Sequence, residues 1–322
     1  MNHYSKLKRV AREFFFGRDS NTAATAAIES VEFVRPEGMR HYLKAMPSGA
    51  TAALRPLVIV LHGSGASAAQ VLGMAFPPSP LSVWLAIAER EHLVVIAPDG
   101  SQRRGERCWN DGFTGIASNP SCDDTGFIAA IIERAVAEDQ IDPARVYIMG
   151  VSKGGMLAYR LASELAPRLA AFSVVLAAMP VRSDYAAPKV ALSALIIAST
   201  HDPFIPYGGG KFPYTLWFLA PMISVEACVA TWRSLAALSE QAVVTHVEPR
   251  GATRATRFTW GADPGKLQVG LLRIERGGHA EPSMAKRYPT LFSWFPGAQN
   301  AGLEVAEEAW EFFRHKRSGK HA

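Results

Sequence analysis

The chain has little cysteine, with three residues in 322. So small and odd a number argues against a disulfide framework. Cys108 and Cys122 flank a loop rich in Gly, Asn, Pro and Ser, where two free thiols are favoured over a bridge formed in an oxidising compartment. Long hydrophobic runs are also missing, so no transmembrane helix is expected. Phe14, Phe15 and Phe16 stand near the start, without the apolar core or cleavage site of a secretory leader. The reading is cytoplasmic, with secretion left open for a trimmed N-terminus. Charge of one sign is scarce, at a net +5. The basic residues gather at the ends, in Lys6, Lys8 and Arg9 and again in Lys316, Arg317 and Lys320. Such clusters read as solvated tails, with no nucleic-acid partner and no membrane span. No Cys, His or carboxylate group has metal-ligand spacing, and no glycine-rich nucleotide loop follows a strand. No metal and no cofactor are therefore expected, and the oligomeric state stays open.

What the chain does have is a large apolar fraction, 48% against 20% charged, which suits a sizeable core. Continuous apolar runs at 56–61, 93–97, 145–149, 172–176 and 194–198 read as strands buried on both faces. Helical periodicity appears at 80–90, 124–138, 153–165, 223–238 and 303–314. Strands alternating with helices predict an α/β fold, a mostly parallel, doubly wound sheet with helices on both faces. Further strands are expected at 30–34, 40–45, 243–247, 254–260 and 267–274. Residues 1–28 read as a helical or disordered extension, 29–316 as a single domain, and 317–322 as a basic tail. The stretch between the strand at 172–176 and Asp202 leaves no room for a large cap domain.

Between a buried strand and a helix stands Gly150-Val151-Ser152-Lys153-Gly154, a G-x-S-x-G elbow. A serine on such a turn projects its hydroxyl outward, and its glycines admit close backbone. A serine hydroxyl needs a base to accept its proton, and that base needs an orienting acid. Ser152, Asp202 and His279 follow in the order Ser, acid, His, each in a loop after a strand. They are the candidate nucleophile, acid and base. His201 adjoins the acid and His246 lies in a strand, which makes both less apt. Two backbone donors are expected to hold a developing oxyanion: the amide of Lys153 at a helix N-terminus, and one from the turn His62-Gly63-Ser64-Gly65. Ser64 is the preferred second donor, with Gly63 and Gly65 as alternatives, and His62 is expected to brace the turn by hydrogen bonds.

The loops at 103–124 and 203–218 are rich in aromatics and begin on the same side of the sheet. Trp109, Asn110 and Tyr207 are the candidate substrate-binding residues, weighed against simple loop packing. Asp123 and Asp124 read as helix-capping residues rather than catalytic ones.

Several stretches together resemble the esterase family of polyhydroxybutyrate depolymerases and feruloyl esterases, within the α/β-hydrolase superfamily. They are Leu61-His62-Gly63, Trp109-Asn110-Asp111, Asp123-Asp124, Ile141-Asp142-Pro143, the elbow with Gly155 and Met156, Asp202-Pro203, and Gly277-Gly278-His279. The resemblance covers roughly residues 40–315 and implies the α/β-hydrolase fold, with Ser152, Asp202 and His279 as the triad. It implies a serine carboxylic-ester hydrolase working through an acyl-enzyme on hydroxyalkanoate, feruloyl, acetyl or short-chain esters. The partner would be a small or oligomeric ester. Lys153 stands where the family often has Asn, and Ala280-Glu281 where it has an aromatic after the histidine. The same three residues also serve acyl transfer and peptide cleavage, and the fold alone serves non-catalytic binding.

Overall fold

A computed structural model describes residues 26–49, 51–103, 105–114, 119–211, 220–288 and 297–319. In chain order the first strands are β1 (Ala27–Arg35), β2 (Gly38–Met46) and β3 (Arg55–Leu61). The short helix α1 (Ala68–Val71) and α2 (Trp84–Glu91) lead to β4 (Val94–Pro98), then to the small hairpin of β5 (Ser101–Arg103) and β6 (Glu106–Cys108). Next come α3 (Asp124–Glu138), β7 (Ile141–Val151), α4 (Lys153–Glu164), β8 (Ala171–Val175) and β9 (Ser193–Ser199). The chain closes with α5 (Val225–Leu235), β10 (Val243–Arg250), β11 (Thr253–Trp260), β12 (Val269–Glu275) and α6 (Val305–Phe313).

Ten strands form one sheet in the order β1-β2-β4-β3-β7-β8-β9-β12-β11-β10. The six from β4 to β12 run parallel, and an antiparallel pair flanks them at each edge. The parallel centre is the expected doubly wound sheet. All residues of β3, β4, β8 and β9 are buried. Their alternation sends Leu57, Ile59 and Leu61 to one face and Val58 and Val60 to the other. The first face meets Phe127 and Ile131 of α3, Leu157 of α4 and Trp232 of α5. The second meets Trp84 and Ile87 of α2 and Trp310 and Phe313 of α6. Each such side chain contributes about 1.5–3 kcal/mol when fully withdrawn from water. This double cover is why the central strands read as unbroken apolar runs. At the free edge β10 is mostly exposed, and a bulge between Val247 and Arg250 brings Pro249 into it. A missing donor and an irregular register blunt that edge.

The C-terminal end departs from the expected solvated tail. Lys316 is 2% exposed. Its Nζ donates to Pro264 O, Lys266 O and Gln268 Oε1. Tyr147 Oη donates to Lys316 O, Arg317 pairs with Asp142, and the Ser318 amide donates to Ala144 O. Residues 316–318 are thus docked where β7 begins, because burying an ammonium becomes tolerable once three acceptors surround it. The N-terminal extension, apart from its last residues, and the final three residues lie outside the described part. Among the described residues, no helix is long and apolar enough to cross a membrane.

Candidate active site

The ends of β3 and β7 are neighbours in the sheet, and the chain leaves them in different directions. Such a divergence opens a crevice at the carboxyl ends of the strands. Ser152 sits between β7 and α4 with φ 53° and ψ −119°. A non-glycine residue pays about 1–3 kcal/mol for such a conformation, which the surroundings must impose. Its amide donates to Val175 O at 2.8 Å, and its carbonyl accepts from Met156 N at 2.9 Å. The flanking glycines are needed for space. A Cβ at Gly150 would lie 2.1 Å from Gly154 O, and one at Gly154 would lie 2.5 Å from both Leu61 O and His62 O.

His279 reaches this serine from the loop after β12. Its Nε2 lies 2.9 Å from Ser152 Oγ, and its Nδ1 lies 2.6 Å from Asp202 Oδ2. The carboxylate fixes the proton on Nδ1 and leaves Nε2 to accept. Asp202 is held in turn: its Oδ1 accepts from Phe204 N at 2.7 Å and Ile205 N at 2.9 Å. Phe204 meets the His279 ring edge-on, with centroids 5.0 Å apart. Burial works against the imidazolium, but the charge and hydrogen bond of Asp202, with Glu281 adding, outweigh it. The His279 pKa is raised above its ordinary value. The competing histidines are elsewhere, His201 beside Thr200 and His246 beside Thr256.

A family model described as Esterase PHB depolymerase matches residues 40–203. The chain belongs to this family. Among curated proteins, "Putative esterase NocK" of Nocardia uniformis subsp. tsuyamanensis is 27% identical over 314 residues, covering 90% of this chain and 83% of that one. The bifunctional acetylxylan esterase/xylanase XynS20E of Neocallimastix patriciarum is 26% identical over 201 residues, which is 62% of this chain and 26% of that one. This esterase therefore spans about a quarter of that larger relative. Among solved structures, the acetyl xylan esterase from Aspergillus awamori superposes with a TM-score of 0.57 at 13% identity, covering 90% of this chain and 99% of that one. A thermostable esterase gives 0.53 at 17% identity, covering 90% and 63%. Both likenesses show the fold, an α/β hydrolase. The protein is a carboxylic-ester hydrolase.

In the esterase the turn 62–65, the candidate oxyanion turn, directly follows β3. His62 is buried at its base, with Nδ1 donating to Gly63 O at 2.7 Å and Nε2 accepting from Gly100 N at 3.0 Å. That pair of bonds requires a neutral ring, and burial lowers its pKa to about 4. The Gly65 amide donates to Arg107 O at 2.8 Å and is thereby removed from the candidate donors. Ser64, exposed at the tip of the turn, keeps its candidacy. Lys153 begins α4 directly after Ser152, as expected of the other donor.

The substrate-binding expectations need correction. Trp109 is fully buried, stacks near His62 with centroids 4.8 Å apart, and donates from Nε1 to His62 O at 2.8 Å. It braces the turn at His62 and has no surface left for a substrate. Asn110 is spent within its loop: Nδ2 donates to Cys122 O, and Oδ1 accepts from Gly112 N. Tyr207 packs against the core, its hydroxyl buried beside Glu226 and Arg273 on the α5 side. Burial and Glu226 push its phenol pKa up. An aromatic in a loop looks the same in sequence whether it packs or binds. The remaining aromatics of the second loop, at 212–218, lie outside the described residues. Asp123 caps α3 as read, accepting from Gly126 N at 2.8 Å. Asp124 is instead buried, paired with Arg40 at 2.6 Å and accepting from Asn110 N. Cys108 and Cys122 are free.

Two side-chain arrangements beside the site were not expected from sequence. Lys153 and Asp111 form an ion pair of 2.5 Å with side chains 1% and 0% exposed. Glu281 is buried, bonded to Ser79 and to the Tyr288 hydroxyl, with its carbonyl accepting from Gln299 Nε2. It fills the position of the family's aromatic with a polar network. A charged residue within an aromatic loop signal was the available clue for Asp111.

Proposed function

We propose that Ser152 is the nucleophile of this esterase, His279 its general base and Asp202 the orienting acid. The observation that supports this is His279 bridging Asp202 and Ser152 at 2.6 and 2.9 Å. His279 Nε2 takes the proton from Ser152 Oγ as that oxygen attacks the ester carbonyl carbon. The amides of Lys153 and Ser64 donate to the oxygen that gains charge. The C–O bond to the alcohol breaks as His279 returns its proton to the leaving alkoxide, and an acyl-serine remains. Water, deprotonated by the same nitrogen, then releases the acid. Residues 29–316 act as one catalytic domain, supported by the single unbroken sheet.

For substrate we infer a short acyl ester, of acetyl, hydroxyalkanoyl or feruloyl type, in a small or oligomeric alcohol component. The family's name supports the hydroxyalkanoyl part of this range and the acetylxylan esterase relative the acetyl part. Ser152→Ala should abolish p-nitrophenyl ester turnover and the acyl-enzyme mass adduct. Retained turnover in a pure preparation would refute the assignment. A panel of p-nitrophenyl esters of rising chain length, methyl ferulate and hydroxybutyrate oligomers ranks the acyl groups.

A further inference from the structure

Two oxyanion donors on different strands act together only if their spacing is fixed to a few tenths of an ångström. The Ser64 turn follows β3, while Lys153 follows β7. One extended stretch, residues 107–111, is tied to both. Arg107 O accepts from Gly65 N at 2.8 Å, and Trp109 Nε1 donates to His62 O at 2.8 Å. Asp111 Oδ2 then pairs with Lys153 Nζ at 2.5 Å. Alternate residues of one stretch thus grip the two halves of the hole.

The stretch is itself anchored. Asp111 Oδ1 accepts from Phe113 N at 3.1 Å and from Asn119 Nδ2 at 2.6 Å, while Asn119 Oδ1 accepts from Lys153 Nζ at 2.5 Å. Asn110 N donates to Asp124 Oδ2 at 2.6 Å, and Asp124 is fixed by Arg40. A buried ion pair is a weak stabiliser compared with an apolar pair of equal volume. What it supplies is direction and a defined length.

We propose that Asp111 and Lys153 are a positioning pair that, through residues 107–111, sets the spacing of the two oxyanion donors. This rests on the reading of the Lys153 and Ser64 amides as those donors. The two side chains touch no reacting atom. The pair acts by holding the start of α4 against the stretch that also holds the His62 turn.

The test compares Asp111→Asn and Trp109→Phe with the unaltered chain, measuring kcat, KM, the urea unfolding midpoint and inhibition by a trifluoromethyl ketone. That inhibitor adds to the serine and places an oxyanion in the hole. Asp111→Asn should lower kcat about 10–100-fold, short of or equal to the loss of a whole donor. KM should stay within about twofold, and inhibitor affinity should fall in step with kcat. Trp109→Phe keeps an aromatic ring, though a smaller one, but loses the bond to His62 O, and should lower kcat and inhibitor affinity together by about 3–10-fold. It carries the test alone if Asp111→Asn does not fold. Unchanged kcat and inhibitor affinity, with only a lower unfolding midpoint or a raised KM, overturn the proposal. Turnover by Ser152→Ala would instead sink the triad itself. A dead Ser152→Ala beside a fully active Asp111→Asn sinks only the positioning role.

Discussion

His62 should make the esterase acid-labile in a specific pH window. The ring is 1% exposed, donates to Gly63 O and accepts from Gly100 N. A second proton would have to go on Nε2, against the Gly100 N–H. Burial, partly offset by the Gly63 bond and Asp99, takes the pKa from 6.5 to about 4. The unfolded chain binds this proton near 6.5 and the folded chain only near 4. The contribution is therefore fully present above pH 6.5 and is lost as pH falls toward 4. At 1.36 kcal/mol per pH unit the loss reaches about 3 kcal/mol, a sizeable part of an ordinary domain's stability. Urea unfolding between about pH 7.5 and 4.5 measures it, with His62→Gln as the comparison. Glutamine can make both bonds but cannot titrate, so its stability should fall less steeply over the same interval. Parallel curves for the two proteins, or a His62 ring that titrates near 6.5 by NMR, would refute the reasoning.

Three other outcomes are expected. The acid limb of kcat/KM should have its inflection above 6.5, because a base must be neutral to work and Asp202 raises the His279 pKa; an inflection at or below 6.5 contradicts the pairing. Gly154→Ala forces a Cβ within 2.5 Å of two carbonyl oxygens of the β3 end. It should cost about 1–3 kcal/mol and at least about tenfold in kcat/KM, and a silent substitution would show that the elbow has slack. Lys316→Met strands three acceptors and should lower stability by about 2–3 kcal/mol while leaving ester turnover at the unaltered rate; an unmoved urea midpoint argues that the contact is idle.

The parallel core and the tight turn at Ser152 were legible because each depends on a local pattern. Unbroken apolar runs reveal strands covered on both faces, and a serine between two glycines at a strand end reveals a turn too tight for side chains. The loops were not legible in the same way. Trp109 reads as a candidate substrate-binding residue, yet it is fully buried and bonded to His62 O. Lys316 and Arg317 read as part of a solvated tail, yet one is buried and the other pairs with Asp142. In each case the partner lies far along the chain, at His62, at 264–268 or at Asp142, and only the folded sheet brings it near. Glu281 shows the same limit. It reads as a departure from the family's aromatic with no evident partner, until Ser79, some two hundred residues earlier, is found beside its carboxylate.

The backbone turn at Ser152 has a consequence for how activity appears as the chain folds. Its amide donates to Val175 O, the glycine two residues on packs against the carbonyls of Leu61 and His62, and the imidazole that meets its hydroxyl stands 127 residues away. No isolated hairpin or helix contains the means to keep that serine in its left-handed conformation. Hydrolysis should thus emerge only with the last long-range strand pairings, the slow step for a sheet of this topology. Ester turnover during refolding becomes a clock for completion of the sheet, silent through any earlier gain of helix.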